Sequence, residues 1–243
     1  VSYGLTAGWS GKQQVFDRSR MGNETSFGLG FSGNEMIGKF VAGNDFNYVQ
    51  AHATSIAASG KYNISSCSSE VITSGRVQMK NYQAVDLING LERHDGYTHA
   101  YFKSFTPALQ NSIRQYASQG GRILISGSYT GSDMQTEEEQ AFLSDILKLS
   151  YEPTGSTAIT RDINPEDSTV TERDSIVYTS PNVKGLGLQF SYYNELNAQH
   201  YAATHPEILK PVGNYAFTAM QYDTGTSAAV AYKSTTYRSF VMG

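Results

Sequence analysis

Apolar and polar positions fall into a readable pattern from about residue 47 onward, and the pattern changes character near residue 151. From 48 to 59, Val49, Ala53, Ile56 and Ala57 recur at helical spacing, with Gly60 placed as a stop. Residues 62–66 read as a short strand, and 69–79 as a second helix carrying Val71, Ile72 and Val77. The run 84–88 is apolar between polar flanks, the pattern of a buried parallel strand. Pro107 opens a helix on which Leu109, Ile113, Tyr116 and Ala117 share one face, ended by Gly120 and Gly121. A second buried strand spans 122–126. Thr136 and Glu139 have capping-box spacing, and Phe142, Leu143, Ile146, Leu147 and Leu149 give the next helix its stripe. Strand, helix, strand and helix in that order predict a βαβ unit.

Beyond Tyr151 the segments are short and separated by turn residues. Residues 158–160, 175–179, 186–190 and 214–217 read as strands, and 228–232 with 237–242 as a hairpin across 233–236. Residues 1–47 carry nine glycines and no sustained periodicity, so an irregular segment is expected there. The expected architecture is one α/β domain over 1–243 with a three-layer parallel sheet. It comprises the Gly-rich segment 1–47, a βαβ core at 48–150 and a β-rich part at 151–243 that completes the sheet. The chain opens at Val1 directly into polar sequence and ends in the apolar run 238–243, which reads as a piece of something longer.

Composition narrows the partners. Charged residues are 16% of the 243, net charge is −4, and 17 tyrosines stand against one tryptophan, a mixture suited to exported proteins and carbohydrate-handling surfaces. Lys and Arg are scattered along the chain with no basic run longer than a pair, which argues against nucleic acid as a partner. No stretch approaches the roughly 20 apolar residues of a membrane span. Cys67 is the only cysteine, and no histidine pair has i, i+4 spacing, so no disulfide, metal site or cofactor is expected.

Among motifs, Gly28, Gly30 and Gly33 match GxGxxG, but without a strand before or a helix after them chance explains the match. Gly127-Ser-Tyr-Thr-Gly131 is more informative. A strand ending in G-x-Nuc-x-G before a helix has the geometry of a nucleophile elbow. Its tip is Tyr129, a poor acyl-transfer nucleophile, while Ser126 and Ser128 sit off the tip. Asp133 and Glu137–Glu139 place negative charge where an oxyanion would need positive potential. A plain strand-to-helix turn is the favoured reading. His52, His94, His99, His200 and His205 read as solvated or hydrogen-bonded. Cys67 in a Ser-rich stretch reads as a small packed thiol, although a Cys67–His dyad stays open. Asp86, Glu92, Asp95, Asp133 and Glu195 are the carboxylates that could serve glycoside chemistry. Tyr192, Tyr193, Tyr201, Tyr215 and Tyr222 cluster in the β-rich third, where core packing explains most of them.

Four stretches together resemble a family of exported bacterial multidomain proteins labelled xanthan lyase. These are 43–48 followed by His52, 82–92, 120–134 and the terminal hairpin from Ala229 to Gly243. The resemblance implies a class I glutamine-amidotransferase-like, flavodoxin-like fold, an extracytoplasmic location and accessory domains alongside. With Tyr129 where such a fold keeps its cysteine, no catalytic residue carries over. The expected function is a module of a secreted protein linked to polysaccharide or cell-envelope processing. Its partners would be polysaccharide or other domains of the same chain, with Ser128, Tyr129, Asp133, His52 and Glu92 as candidate binding residues. The alternatives are a polysaccharide lyase using a Tyr or His base, and a thiol hydrolase through Cys67.

Overall fold

The computed structural model describes residues 48–90, 103–163, 170–192, 203 and 205–243, with the strands at 157–163 and 170–176 described as backbone. Four α-helices lie within these residues: α1 (Tyr48–Ala58), α2 (Ser69–Thr73), α3 (Pro107–Ser118) and α4 (Glu137–Phe142). The strands are β1 (Val85–Gly90), β2 (Arg122–Gly127), β3 (Leu149–Glu152), β4 (Thr157–Ile163), β5 (Val170–Ile176), β6 (Asn182–Gly185), β7 (Leu188–Ser191), β8 (Ile208–Pro211), β9 (Ala216–Tyr222), β10 (Ser227–Lys233) and β11 (Arg238–Met242).

Seven of these strands form one sheet in the order β1-β2-β11-β10-β9-β6-β7. The β1–β2 and β2–β11 pairs are parallel, and every other pair in the sheet is antiparallel. β3 pairs with β8, and β4 with β5, as separate antiparallel ladders. The three-layer parallel sheet expected from the sequence is therefore overturned, and the flavodoxin-like, amidotransferase-like architecture with it. The pattern at 84–126 predicts its local unit correctly, because β1 and β2 are parallel and α3 lies between them in sequence. Among the described residues after 151, tight turns join β6 to β7, β9 to β10 and β10 to β11, and strands joined by tight turns pair antiparallel.

The elements follow from local chemistry. Thr106 caps α3 by accepting the amide of Leu109, Pro107 sits in the first turn, and Leu109, Ile113, Tyr116 and Ala117 are all buried as the stripe predicts. At α4 the Thr136–Glu139 capping box forms in full. Its stripe does not continue as one helix: a π turn takes over at Leu143–Leu147, Lys148 ends it in the left-handed conformation, and Leu149 belongs to β3. Residues 62–66 are exposed and outside any strand, since only Ile64 among them is strongly apolar. The second helix stops at Thr73 because Gly75, at φ 75°, turns the chain. In the C-terminal part, 175–179 overlaps only the end of β5, and Leu186 falls in the turn before β7.

One face of the sheet packs Ile123, Ile125, Val230 and Val241 against Leu109, Ile113, Phe142, Leu143 and Leu147. The other gathers Val183, Met220, Tyr222 and Ala229 with Ile208. The join between β6 and β9 leaves no room for a side chain: a Cβ on Gly185 would lie 2.2 Å from the carbonyl oxygen of Ala219. Gly185→Ala is expected to cost about 2 kcal/mol by urea unfolding and to speed hydrogen exchange selectively in β6.

Candidate functional site

The turn leaving β2 gathers a cluster of buried polar groups. Its two glycines are there for close packing rather than for an unusual backbone angle. A Cβ on Gly127 would come within 2.6 Å of the Cβ of Asn89, and one on Gly131 within 2.6 Å of the Cβ of Tyr151. The amide of Ser128 donates to the Gly90 carbonyl at 2.8 Å, tying the turn to the end of β1. The Thr130 hydroxyl donates to the Gly127 carbonyl, and the Ser104 hydroxyl donates to the Tyr129 carbonyl.

A carboxylate from far along the chain fills the position an external anion would take. Glu207, 4% exposed, accepts the Gly131 amide at 2.6 Å, the Ser132 amide at 3.0 Å and the Ser132 hydroxyl. Adjacent backbone amides of this kind form a ready anion site. Burial raises the Glu207 carboxyl above the usual range, outweighing the hydrogen bonds from Ser132 and Gly131, and the charge of Asp133 pushes the same way. Tyr222, with its own phenol pushed upward by burial, donates to the Glu207 carbonyl at 2.8 Å and fixes that segment from behind.

A second carboxylate closes the other side. Lys103, buried, donates to Glu139 at 2.9 Å and to the Asp133 carbonyl. Glu139 also accepts the amides of Gln135 and Thr136. Burial works to raise its carboxyl, but the Thr136 amide, Lys103 and the Gln135 amide together bring it below the ordinary value. Asp133 is buried and accepts the Ser104 amide at 2.9 Å.

The structure thus joins Ser128, Tyr129 and Asp133 in one turn, as the sequence implies, but turns the tip inward. Tyr129 is buried, and its ring lies 4.9 Å from that of His205 at an angle of 38°. An elbow needs its tip exposed above the sheet, and this tip is covered. His52 is engaged on a different element: its Nδ1 sits 2.7 Å from Oδ2 of Asp86, joining α1 to β1. Glu92, the other histidines at 94, 99 and 200, and the glycine motif at 28–33 lie outside the described residues. Cys67 is exposed, and among the described residues no histidine bonds to it, so no thiolate–imidazole pair forms there. No cluster of three or more His, Cys, Asp or Glu able to hold a metal occurs among the described residues, and no helix there is long and apolar enough to cross a membrane.

Glu207, Lys103 and the stacking of His205 carry no signal in the sequence. Glu207 and Gly131 are 76 positions apart, and no spacing rule links a carboxylate to an amide at that range.

Because the folded state holds the Glu207 carboxyl above its unfolded value, Glu207 stabilises the fold most when protonated. That contribution fades as pH rises from the unfolded value, near 4.5, through the folded one. Glu207→Gln cannot ionise, so wild-type stability is expected to fall relative to it with rising pH across that window, by at most about 1.4 kcal/mol per pH unit. Thermal melts of both proteins from pH 4 to 8 check this; parallel curves would refute it.

No protein-family model matches the chain, and no curated protein matches its sequence.

Proposed function

We propose that this chain is a non-catalytic binding module of an exported, multidomain protein associated with polysaccharide or cell-envelope material. The observation that carries the first half is the Glu207 carboxylate seated on the Gly131 and Ser132 amides. Adjacent amides of this kind suit an anionic ligand, and here the chain's own Glu207 carboxyl occupies them. Tyr129 is correspondingly packed against His205 instead of facing a substrate. Support for the second half comes from the Tyr-rich, charge-poor composition, the resemblance to exported bacterial proteins and the exposed rings of Tyr178, Tyr215 and Phe217. Exposed aromatic rings of this kind present flat apolar surface at little entropic cost.

One observation favours a second reading, a polysaccharide lyase with a histidine base. The Asp86 carboxylate accepts from Nδ1 of His52, which leaves Nε2 as the basic nitrogen, the arrangement that general-base catalysis uses.

The two separate in one assay. Incubated with acidic polysaccharides and followed by unsaturated-uronate absorbance, the protein is expected to show no turnover, and Tyr129→Phe and His52→Ala are expected to change nothing. Turnover lost in His52→Ala would establish the lyase and sink the inert module. Turnover lost in Tyr129→Phe would also overturn the module reading.

A further inference from the structure

The sheet places side by side three cations that the sequence keeps apart. Arg122 on β2 is in register with Arg238 on β11, and Arg238 is in register with Lys233 on β10. Register partners on neighbouring strands share a face, so the three form one row across adjacent strands about 4.8 Å apart. All three are exposed. Like charges directly opposed across strands destabilise a sheet, and no carboxylate offsets them: among the described residues no side-chain hydrogen bond or ion pair reaches any of the three. Asp86, two residues further along on the β1 side of the same face, bonds His52 through Oδ2, and its Oδ1 reaches none of the three cations.

The row ends at an aromatic residue held in an unfavourable conformation. The amide of Lys233 donates to the carbonyl of Tyr215, so Tyr215 sits beside Lys233 at the margin of β9. Tyr215 has φ 67° and is 72% exposed. A bulky residue there is strained, and neither packing nor a hydrogen bond of its hydroxyl explains its presence. Phe217, two residues on and 44% exposed, pairs in register with Ala231 and thus lies on the same face as Lys233. Leu124 and Phe240, in register with each other, extend a partly exposed apolar strip beside the cations.

The geometry points to this face as a binding surface for a carboxylate-bearing polysaccharide, with Arg122, Arg238 and Lys233 taking the carboxylates and Tyr215 and Phe217 stacking on sugar rings. The assignment rests on the polysaccharide reading above and names its charge class and its surface. Guanidinium forks match carboxylates in two-point geometry, and exposed rings at the end of the row suit a ligand that is both anionic and cyclic. A nucleic acid has both properties as well, but its dense phosphates would meet a protein of net charge −4 through only three cations.

The test is binding of the full chain to polygalacturonate, to a neutral β-glucan and to single-stranded DNA, by calorimetry at low and physiological salt. Polygalacturonate is expected to bind, more weakly as salt rises, with neither other probe binding comparably. The triple variant Arg122→Gln, Lys233→Gln, Arg238→Gln should lose at least about tenfold in affinity. A control triple with the same charge change at exposed positions outside the row, Lys61→Gln, Arg76→Gln, Lys80→Gln, should bind as wild type. Tyr215→Gly, which relieves the strained φ, should melt at a higher temperature and yet bind more weakly, keeping the idea testable if the triple variant folds poorly. Equal losses in both triples, or Tyr215→Gly binding as wild type, would overturn the surface. Preference for the neutral glucan would overturn the carboxylate assignment while leaving the polysaccharide reading intact, and preference for DNA would overturn both.

Discussion

The buried Glu207 carboxyl, bonded by two backbone amides, ties together distant parts of this protein. Glu207 reaches from the segment before β8 to the turn after β2, and nearly everything around that turn is arranged with respect to it. Removing a carboxylate from water costs several kcal/mol unless its oxygens are bonded; here two amides and a hydroxyl bond it. The same contact joins the parallel part of the sheet to the β3–β8 ladder, which no strand pairing connects to it. The Lys103–Glu139 pair does comparable work on the other side, linking residue 103 to the cap of α4. Between them the two carboxyl groups accept the amides of Gly131, Ser132, Gln135 and Thr136, tying the turn and the start of α4 to distant parts of the chain.

The second constraint is where the C-terminal hairpin goes. β11 enters between β2 and β10, parallel to one and antiparallel to the other, and turns two parallel strands into the start of a mixed sheet. This insertion buries Val241 in the main core and sets Arg238 between Arg122 and Lys233. A surface property and the packing of the core therefore share one cause. The cations cluster because the register that buries Ile123, Ile125 and Val241 on one face allows no other placement of their neighbours on the opposite face.

Elements defined by signals within a dozen residues were legible before the structure. α3 with its cap and buried stripe, the capping box at Thr136, the strands on either side of α3 and the β10–β11 hairpin all follow from spacing and capping chemistry. Where a local pattern runs on past one element, tertiary contacts override it. The stripe past Phe142 continues in spacing, but Lys148 breaks the helix and hands Leu149 to a strand. One βαβ unit suggests a parallel sheet throughout, but β6–β7, β9–β10 and β10–β11 are joined by turns of two to four residues, too short to cross over. The residues at 127–131 mark a tight strand-to-helix turn, whereas the packing of Tyr129 against His205 and of Glu207 against the Gly131 and Ser132 amides comes from outside any sequence window.

The sequence by itself determined the strand–helix–strand run from β1 to β2, that residues 127–131 form a tight turn, and that its tip is a tyrosine. These depend on periodicity and on backbone chemistry between near neighbours. Only the tertiary structure decided the sheet's order, the filling of the turn's amides by Glu207 and the row made by Arg122, Arg238 and Lys233. Each of these joins residues distant in sequence, and such pairings are selected by the collective burial of apolar faces, which no local pattern records.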